Sequence, residues 1–207
     1  MEIEISEKYD LPDLRLYRSG SLSQTVIVWR PEKLMVVIGK GSDPSDELIT
    51  DAISVDHVPV IRRDTGGCAV VLSADMAVVS FSLRNDPNKK NPEYFRLFND
   101  LIIEALKKQS IRGLGFNGIS DITLNGLKVA GSAIYRRRES VLYHVVLNLS
   151  GSTEQMERYL KIPSRQPDYR RNRSHKDFVT SFADQGVEVD LDRFENDLKT
   201  SFLLNIQ

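Results

Sequence analysis

The chain has 207 residues, 41% hydrophobic and 28% charged, with a net charge of −1, the composition of a folded globular domain. That balance excludes a global field for nucleic acid, and no apolar run approaches the roughly 20 residues of a membrane span. The acidic start MEIEISEKYD lacks the basic and apolar regions of a signal peptide, and a single cysteine, Cys68, excludes an internal disulfide framework, so a reducing, cytoplasmic setting is expected.

In chain order, TVIVWR (25–30) and LMVVIGK (34–40) read as strands joined by a Pro-Glu-Lys turn. GSDPSD (41–46) reads as loop, 47–56 as a short helix or irregular segment, and 58–61 as a short strand. Residues 69–72 and 76–83 are further strands. Asn91, Pro92 and Glu93 form a helix start. Phe95, Phe98, Ile102 and Leu106 follow at helical spacing, which predicts an amphipathic helix over 92–109. Ser110 to Gly118 reads as a glycine-rich connection. Asn125-Gly126 between two apolar runs is a strong hairpin signal, since Asn-Gly suits the type I′ turn. A return strand is expected over 141–149, a helix over 153–161 and an ordered loop over 163–175. Leu191, Phe194, Leu198 and Phe202 mark a last helix. Strands and helices do not alternate strictly, so the fold class is α+β, with a mainly antiparallel or mixed central sheet flanked by helices.

RRDTGGCAV, from Arg62 to Val70, is the most informative stretch. Adjacent glycines let backbone approach a ligand closely, and successive N–H groups in such a turn can cradle an anion. The arginines add donors suited to carboxylate or phosphate. The segment is either a grip for the acidic end of a small molecule or a hairpin turn with solvated arginines. Beyond the Asn-Gly turn, alternation puts Lys128, Ala130 and Ser132 on one face, leaving room beside the ammonium. Lys128 then either neutralises charge on phosphate or carboxylate oxygens or is an exposed hairpin end. Asp121 either orients that lysine or meets a divalent cation carried by a nucleotide, or else caps the strand. His144 shares a face with Leu142 and Val146 and is either a core histidine or a site residue. His57, His144 and His175 lie far apart, and neither HExxH nor CxxC occurs, so a zinc site is not expected. Basic clusters at Arg136–Arg138 and at Arg165–Arg173, the latter with four arginines, are either solvated or docking surfaces for an acidic partner.

Together these segments resemble the lipoate–protein ligase family, within the larger group of octanoyltransferases and biotin ligases. RRDTGGCAV is similar to that family's Arg-Arg-x-Ser/Thr-Gly-Gly-Gly-Ala-Val segment. SDITLNGLKVAGSA is similar to its Asn-Asp … Asn-Gly-x-Lys-x-x-Gly-Ser-Ala segment, and Tyr169 to Phe182 resembles a downstream region of some ligases. The resemblance implies a class II synthetase-like catalytic domain over 1–207, with an N-terminal extension (1–24), a ligase-like core (25–182) and a helical C-terminal segment (183–207). It implies an ATP-dependent ligase that converts lipoate to lipoyl-AMP and transfers lipoyl to a lysine of a carrier protein. By the same resemblance Lys128 is the catalytic residue. Arg63, Thr65, Gly66, Gly67, Cys68, Ala69 and His144 bind substrate. Asp121, Val129, Gly131, Ser132 and Ala133 join Lys128 around the nucleotide, with Asp121 reaching it through Mg²⁺. An apolar slot near Val70, Val71 and Val79 is expected for the dithiolane chain. The expected partners are a lipoyl-domain or glycine-cleavage-H-like acceptor and an accessory ligase subunit, since the accessory C-terminal domain of longer ligases is not seen. Nucleic acid and membrane are not expected partners. Cys68 stands where the family has a third glycine, and Ser120 where it has asparagine. The rival readings are a cysteine-dependent octanoyl or lipoyl transferase and a non-catalytic binder of lipoyl-AMP or lipoyl domains.

Overall fold

The computed structural model describes residues 3–18 and 24–205. Its strands are β1 (Ile5–Ser6), β2 (Thr25–Trp29), β3 (Met35–Ile38), β4 (Val60–Arg62), β5 (Val70–Leu72), β6 (Met76–Arg84), β7 (Leu114–Asn117), β8 (Asp121–Leu124), β9 (Leu127–Arg136) and β10 (Ser140–Asn148). Its α-helices are α1 (Leu14–Arg18), α2 (Pro44–Glu47), α3 (Thr50–Val55), α4 (Asn91–Lys107), α5 (Thr153–Tyr159), α6 (His175–Phe178) and α7 (Leu191–Asn205). Among the described residues, no helix is long and apolar enough to cross a membrane.

Two sheets form. The larger has six antiparallel strands in the order β2-β6-β10-β9-β8-β7, and the smaller has four strands in the order β1-β4-β3-β5, of mixed direction. Period-2 alternation sends Ala77, Val79, Phe81 and Leu83 of β6 and Tyr143, Val145 and Leu147 of β10 to one face. There they pack with Phe98, Ile102 and Leu106 of α4 and Phe194, Leu198 and Phe202 of α7. Phe98 anchors this core, with ring centroids 4.8 Å from Phe81 and 4.7 Å from Tyr143. Val78 and Leu142 leave by the opposite face and meet Met35, Val37 and Leu72 of the small sheet. The two sheets therefore share a second apolar layer, and the candidate site lies at its edge.

Several expectations change. The connection at 110–118 contains an edge strand, β7, paired to β8. The loop at 41–46 runs into α2, started by Asp43, whose carboxylate accepts the Ser45 N–H at 2.8 Å. Within the expected extension, Tyr9 and Asp13 are buried. Asp13 accepts hydrogen bonds from Tyr9 Oη at 2.7 Å and Ser80 Oγ at 2.9 Å, tying the segment to β6. Residues 19–23 of that extension lie outside the described residues. Val79 faces the helix-covered core and is fully buried there, so it does not belong to an acyl slot.

The alternation expected for Lys128, Ala130 and Ser132 also fails. Ile122 pairs with Ala130, but Thr123 pairs with Lys128. Val129 is thus an extra residue, a β-bulge, and a bulge re-aims the side chains before it. Ala130 packs into the helix-covered core, whereas Lys128 lies over Gly131.

Candidate functional site

The glycine turn between β4 and β5 is built by its own arginines. Arg63 is 4% exposed. Its Nε and Nη2 donate to Gly66 O at 3.1 and 2.9 Å, Nη2 also to Cys68 O at 2.9 Å, and Nη1 to Val37 O at 3.3 Å. Arg62 donates to Gly39 O and Ser42 O at 3.1 and 3.0 Å. Both arginines donate into the turn and shape it, and Arg63 also lines the cavity described below. Two glycines make that shape possible. Gly67 sits at φ +97°, and a Cβ on Gly39 would fall 2.2 Å from Gly67 O, so the turn closes directly onto the end of β3.

The turn meets the Asn-Gly hairpin across the sheet. A Cβ on Gly67 would lie 3.2 Å from the Ala133 Cβ of β9, and Thr65 Oγ1 lies 3.5 Å from His144 Nε2 on β10. Asn125 and Gly126 both have positive φ, as a type I′ turn requires. The strand beyond the turn delivers Lys128 Nζ to within 2.8 Å of Asp121 Oδ1. Asp121 is 2% exposed and also accepts from Tyr169 Oη at 2.7 Å. A Cβ on Gly131 would stand 2.8 Å from both Cε and Nζ of Lys128. The glycine is therefore the floor over which the lysine passes. Phe178 lies beside it, its ring centroid 6.0 Å from Nζ.

These parts enclose a cavity of about 320 Å³. Its apolar lining includes Val70, Val71, Met76, Val146, Met156 and Leu160. Its lining also includes Asp121, Lys128, Gly131, Ser132 and Arg170. Burial and the Arg63 charge push the His144 pKa down to about 3, and burial and Arg170 push that of His175 down to about 4. Both rings are neutral near pH 7. Burial first, then the Glu47 carboxylate, raises the pKa of the Cys68 thiol. Lys128, Arg63 and Arg165 oppose that shift without reversing it.

Of the expected site residues, Arg63, Gly67, Cys68, Ala69, Asp121, Lys128, Val129, Gly131, Ser132, Ala133 and His144 line this one cavity. Thr65, buried at 1%, supports His144 from behind, and Gly66 forms the outer part of the turn. Sequence reasoning missed Glu47, which accepts the Ala69 N–H. It also missed Tyr169, Arg170, His175 and Phe178. The segment from Tyr169 to Phe182 carried the signal, because it runs back alongside β9, with Thr180 N donating to Lys128 O at 2.8 Å.

The domain thus brings a glycine turn and a lysine hairpin from its two packed sheets to one cavity lined by both apolar and charged side chains. The model of the lipoyl protein ligase A/B catalytic domain matches residues 10–203, and the chain belongs to that family. It is 32% identical over 126 residues to a lipoate–protein ligase of Streptococcus pyogenes, covering 61% of this chain and 36% of that one. It is 29% identical over 139 residues to lipoate–protein ligase A of Psychrobacter cryohalolentis, covering 67% and 39%. The chain thus spans between 36% and 39% of the length of these relatives. Its fold is that of a lipoate–protein ligase A solved with ATP (TM-score 0.74, 23% identity, 92% of this chain and 76% of that one). It is also that of a bipartite lipoate–protein ligase of Thermoplasma acidophilum, described with its E2 lipoyl domain (TM-score 0.75, 20% identity, 98% and 82%).

Proposed function

We propose that this chain is an ATP-dependent lipoate–protein ligase or its catalytic part. In the first step a lipoate carboxylate oxygen attacks the α-phosphorus of ATP. The bond to the bridging oxygen breaks, its electron pair leaves with pyrophosphate, and lipoyl-AMP forms. In the second, the neutral amine of an acceptor lysine attacks the acyl carbon. The bond to AMP breaks, an amide forms and the amine loses a proton. The observation that carries this reading is Lys128, held over Gly131 beside Asp121 in the same cavity as the glycine turn.

Each demand of the chemistry has a matching group. The apolar lining from Val70, Val71 and Val146 suits the dithiolane chain, and the turn from Arg63 to Ala69 suits its carboxyl group. Lys128 reaches the carboxyl oxygen and the α-phosphate, stabilising charge in both steps; such reactions rely on positioning and electrostatics. Val129, Gly131, Ser132 and Ala133 leave room for adenosine against the strand. His144 is a neutral wall of the acyl site. Magnesium travels with ATP and neutralises its phosphates. Asp121 already holds Lys128 and accepts from Tyr169. Asp121 is the side chain that would meet a magnesium ion carried by ATP, and that ion would offset charge on the phosphates.

The acceptor is a lipoyl domain or a glycine-cleavage-H-like protein, a reading favoured by the E2 lipoyl domain of the Thermoplasma system, whose bipartite ligase likewise favours a separate accessory chain. The Cys68 thiol pKa is shifted upward, opposite to the shift that activates a nucleophilic cysteine, which favours the ligase over the cysteine-dependent transferase. The test is intact-protein mass spectrometry of a lipoyl-domain acceptor incubated with the chain, lipoate, ATP and magnesium. A lipoyl adduct that requires ATP and survives Cys68→Ser supports the ligase. ATP-independent transfer from an acyl carrier, lost in Cys68→Ser, supports the transferase instead.

A further inference from the structure

The cavity holds more positive charge than Lys128 accounts for. Five of its lining side chains are cationic, against two carboxylates, Glu47 and Asp121. Arg63 donates to backbone carbonyls, Lys128 pairs with Asp121, Lys161 donates to Ser45 O at 2.6 Å, and Arg165 is exposed at the mouth. Arg170 is different. It is 5% exposed, and its Nε donates to Arg173 O at 3.1 Å. Its guanidinium lies 4.8 Å from the Phe178 ring centroid. Its Nη2 is buried and has no hydrogen-bond partner among the described residues. A buried charged donor without an acceptor is costly, and the Arg170 side chain lines the cavity.

The surroundings raise that demand. Lys128 Nζ and the Arg173 guanidinium lie 6.0 and 5.1 Å from the same Phe178 centroid. Three cations therefore share one ring, and the Asp121 carboxylate pairs with Lys128 while its charge also acts on Arg170. The loop holding Arg170 is built rather than slack. Arg171 and Asn172 take positive φ, and the Asn172 N–H donates to Gln166 Oε1 at 3.0 Å. Tyr169, next in sequence to Arg170, binds Asp121, so the loop is tied directly to the Lys128 pair.

We propose that Arg170 receives the pyrophosphate that leaves when the acyl-adenylate forms. This rests on the ligase reading above. As the α-phosphorus–oxygen bond breaks, the electron pair stays on the bridging oxygen of pyrophosphate. The planar guanidinium fork of Arg170 suits that developing charge, while Lys128 stays with the α-phosphate and carboxyl oxygens.

Isothermal titration of the intact chain with inorganic pyrophosphate tests this, with orthophosphate and a sulfamoyl mimic of lipoyl-AMP as controls. Arg170→Gln weakens pyrophosphate binding by at least about tenfold and leaves the adenylate mimic, which carries no pyrophosphate, within about twofold of wild type. Arg170→Lys retains part of the binding. Arg170→Met, whose stem still covers Phe178, replaces the glutamine variant should that one fail to fold in a thermal melt. Equal pyrophosphate binding by the variants, a wild type that prefers orthophosphate, or equal losses for pyrophosphate and mimic overturns the assignment. Failure of the ligase reading shows separately, as a wild type that does not bind the mimic.

Discussion

Gly131 and Lys128 act as one unit, because the lysine's far end occupies the volume a side chain would take at the glycine. A Cβ there would meet a flexible chain end, 2.8 Å from Nζ, and not fixed backbone. Gly131→Ala is therefore expected to leave the melting temperature within a few degrees of wild type. It displaces the ammonium by about 1 Å, enough to lower kcat about a hundredfold; steady-state kinetics beside a thermal melt checks both. Tyr169 acts at one remove, holding Asp121, which holds Lys128. Tyr169→Phe is expected to lower kcat more than it raises KM for lipoate, because the acyl slot is untouched. An unchanged kcat would remove Tyr169 from the positioning chain. Asp121 and Lys128 were legible from the hairpin motif. Tyr169 was not, because it lies 48 residues from its partner and nothing local marks a tyrosine as a carboxylate's donor.

At the scale of elements, the glycine turn owes its shape to contacts that reach across the small sheet. Gly39, at the end of β3, admits Gly67 O where a Cβ would stand 2.2 Å away. Gly39→Ala is expected to cost about 1–3 kcal/mol, as overpacking against fixed backbone does. Arg63→Met is expected to cost about 3 kcal/mol, since carbonyls of Gly66, Cys68 and Val37 lose a charged donor. Urea midpoints check both, and a near-neutral Arg63→Met would show that the turn holds itself. The turn, the Asn-Gly hairpin and α4 were visible in the sequence because each rests on a local pattern: paired glycines, a positive-φ dipeptide, helical spacing behind a proline. The bulge at Val129 was not, because one extra residue in a strand leaves the run of apolar and small residues intact while reversing which side Lys128 takes. The edge strand β7 was hidden by its flanking glycines, which read as loop.

For the whole molecule, the two sheets bring the turn on one and the lysine hairpin on the other to a single cavity, and that meeting sets the pH behaviour. His144 and His175 have pKa values near 3 and 4 in the fold, against about 6.5 for a free histidine. Unfolding lets them protonate at the ordinary value. The stability that their neutral burial contributes is thus complete above about pH 6.5 and is lost as the pH falls toward 4 and then 3. Urea midpoints are expected to fall from pH 7 to pH 4, and to fall less in His144→Asn. A midpoint indifferent to pH over that range would mean that both rings protonate freely in the fold.

The central claim is that this cavity joins lipoate to AMP through Lys128. Its most direct measurement is lipoate-dependent exchange of labelled pyrophosphate into ATP, by the chain alone and with an accessory ligase chain supplied. The expected result is exchange that requires lipoate and disappears in a folded Lys128→Ala. Full exchange in that variant, or a folded wild type with no lipoate-dependent exchange under either condition, would contradict it.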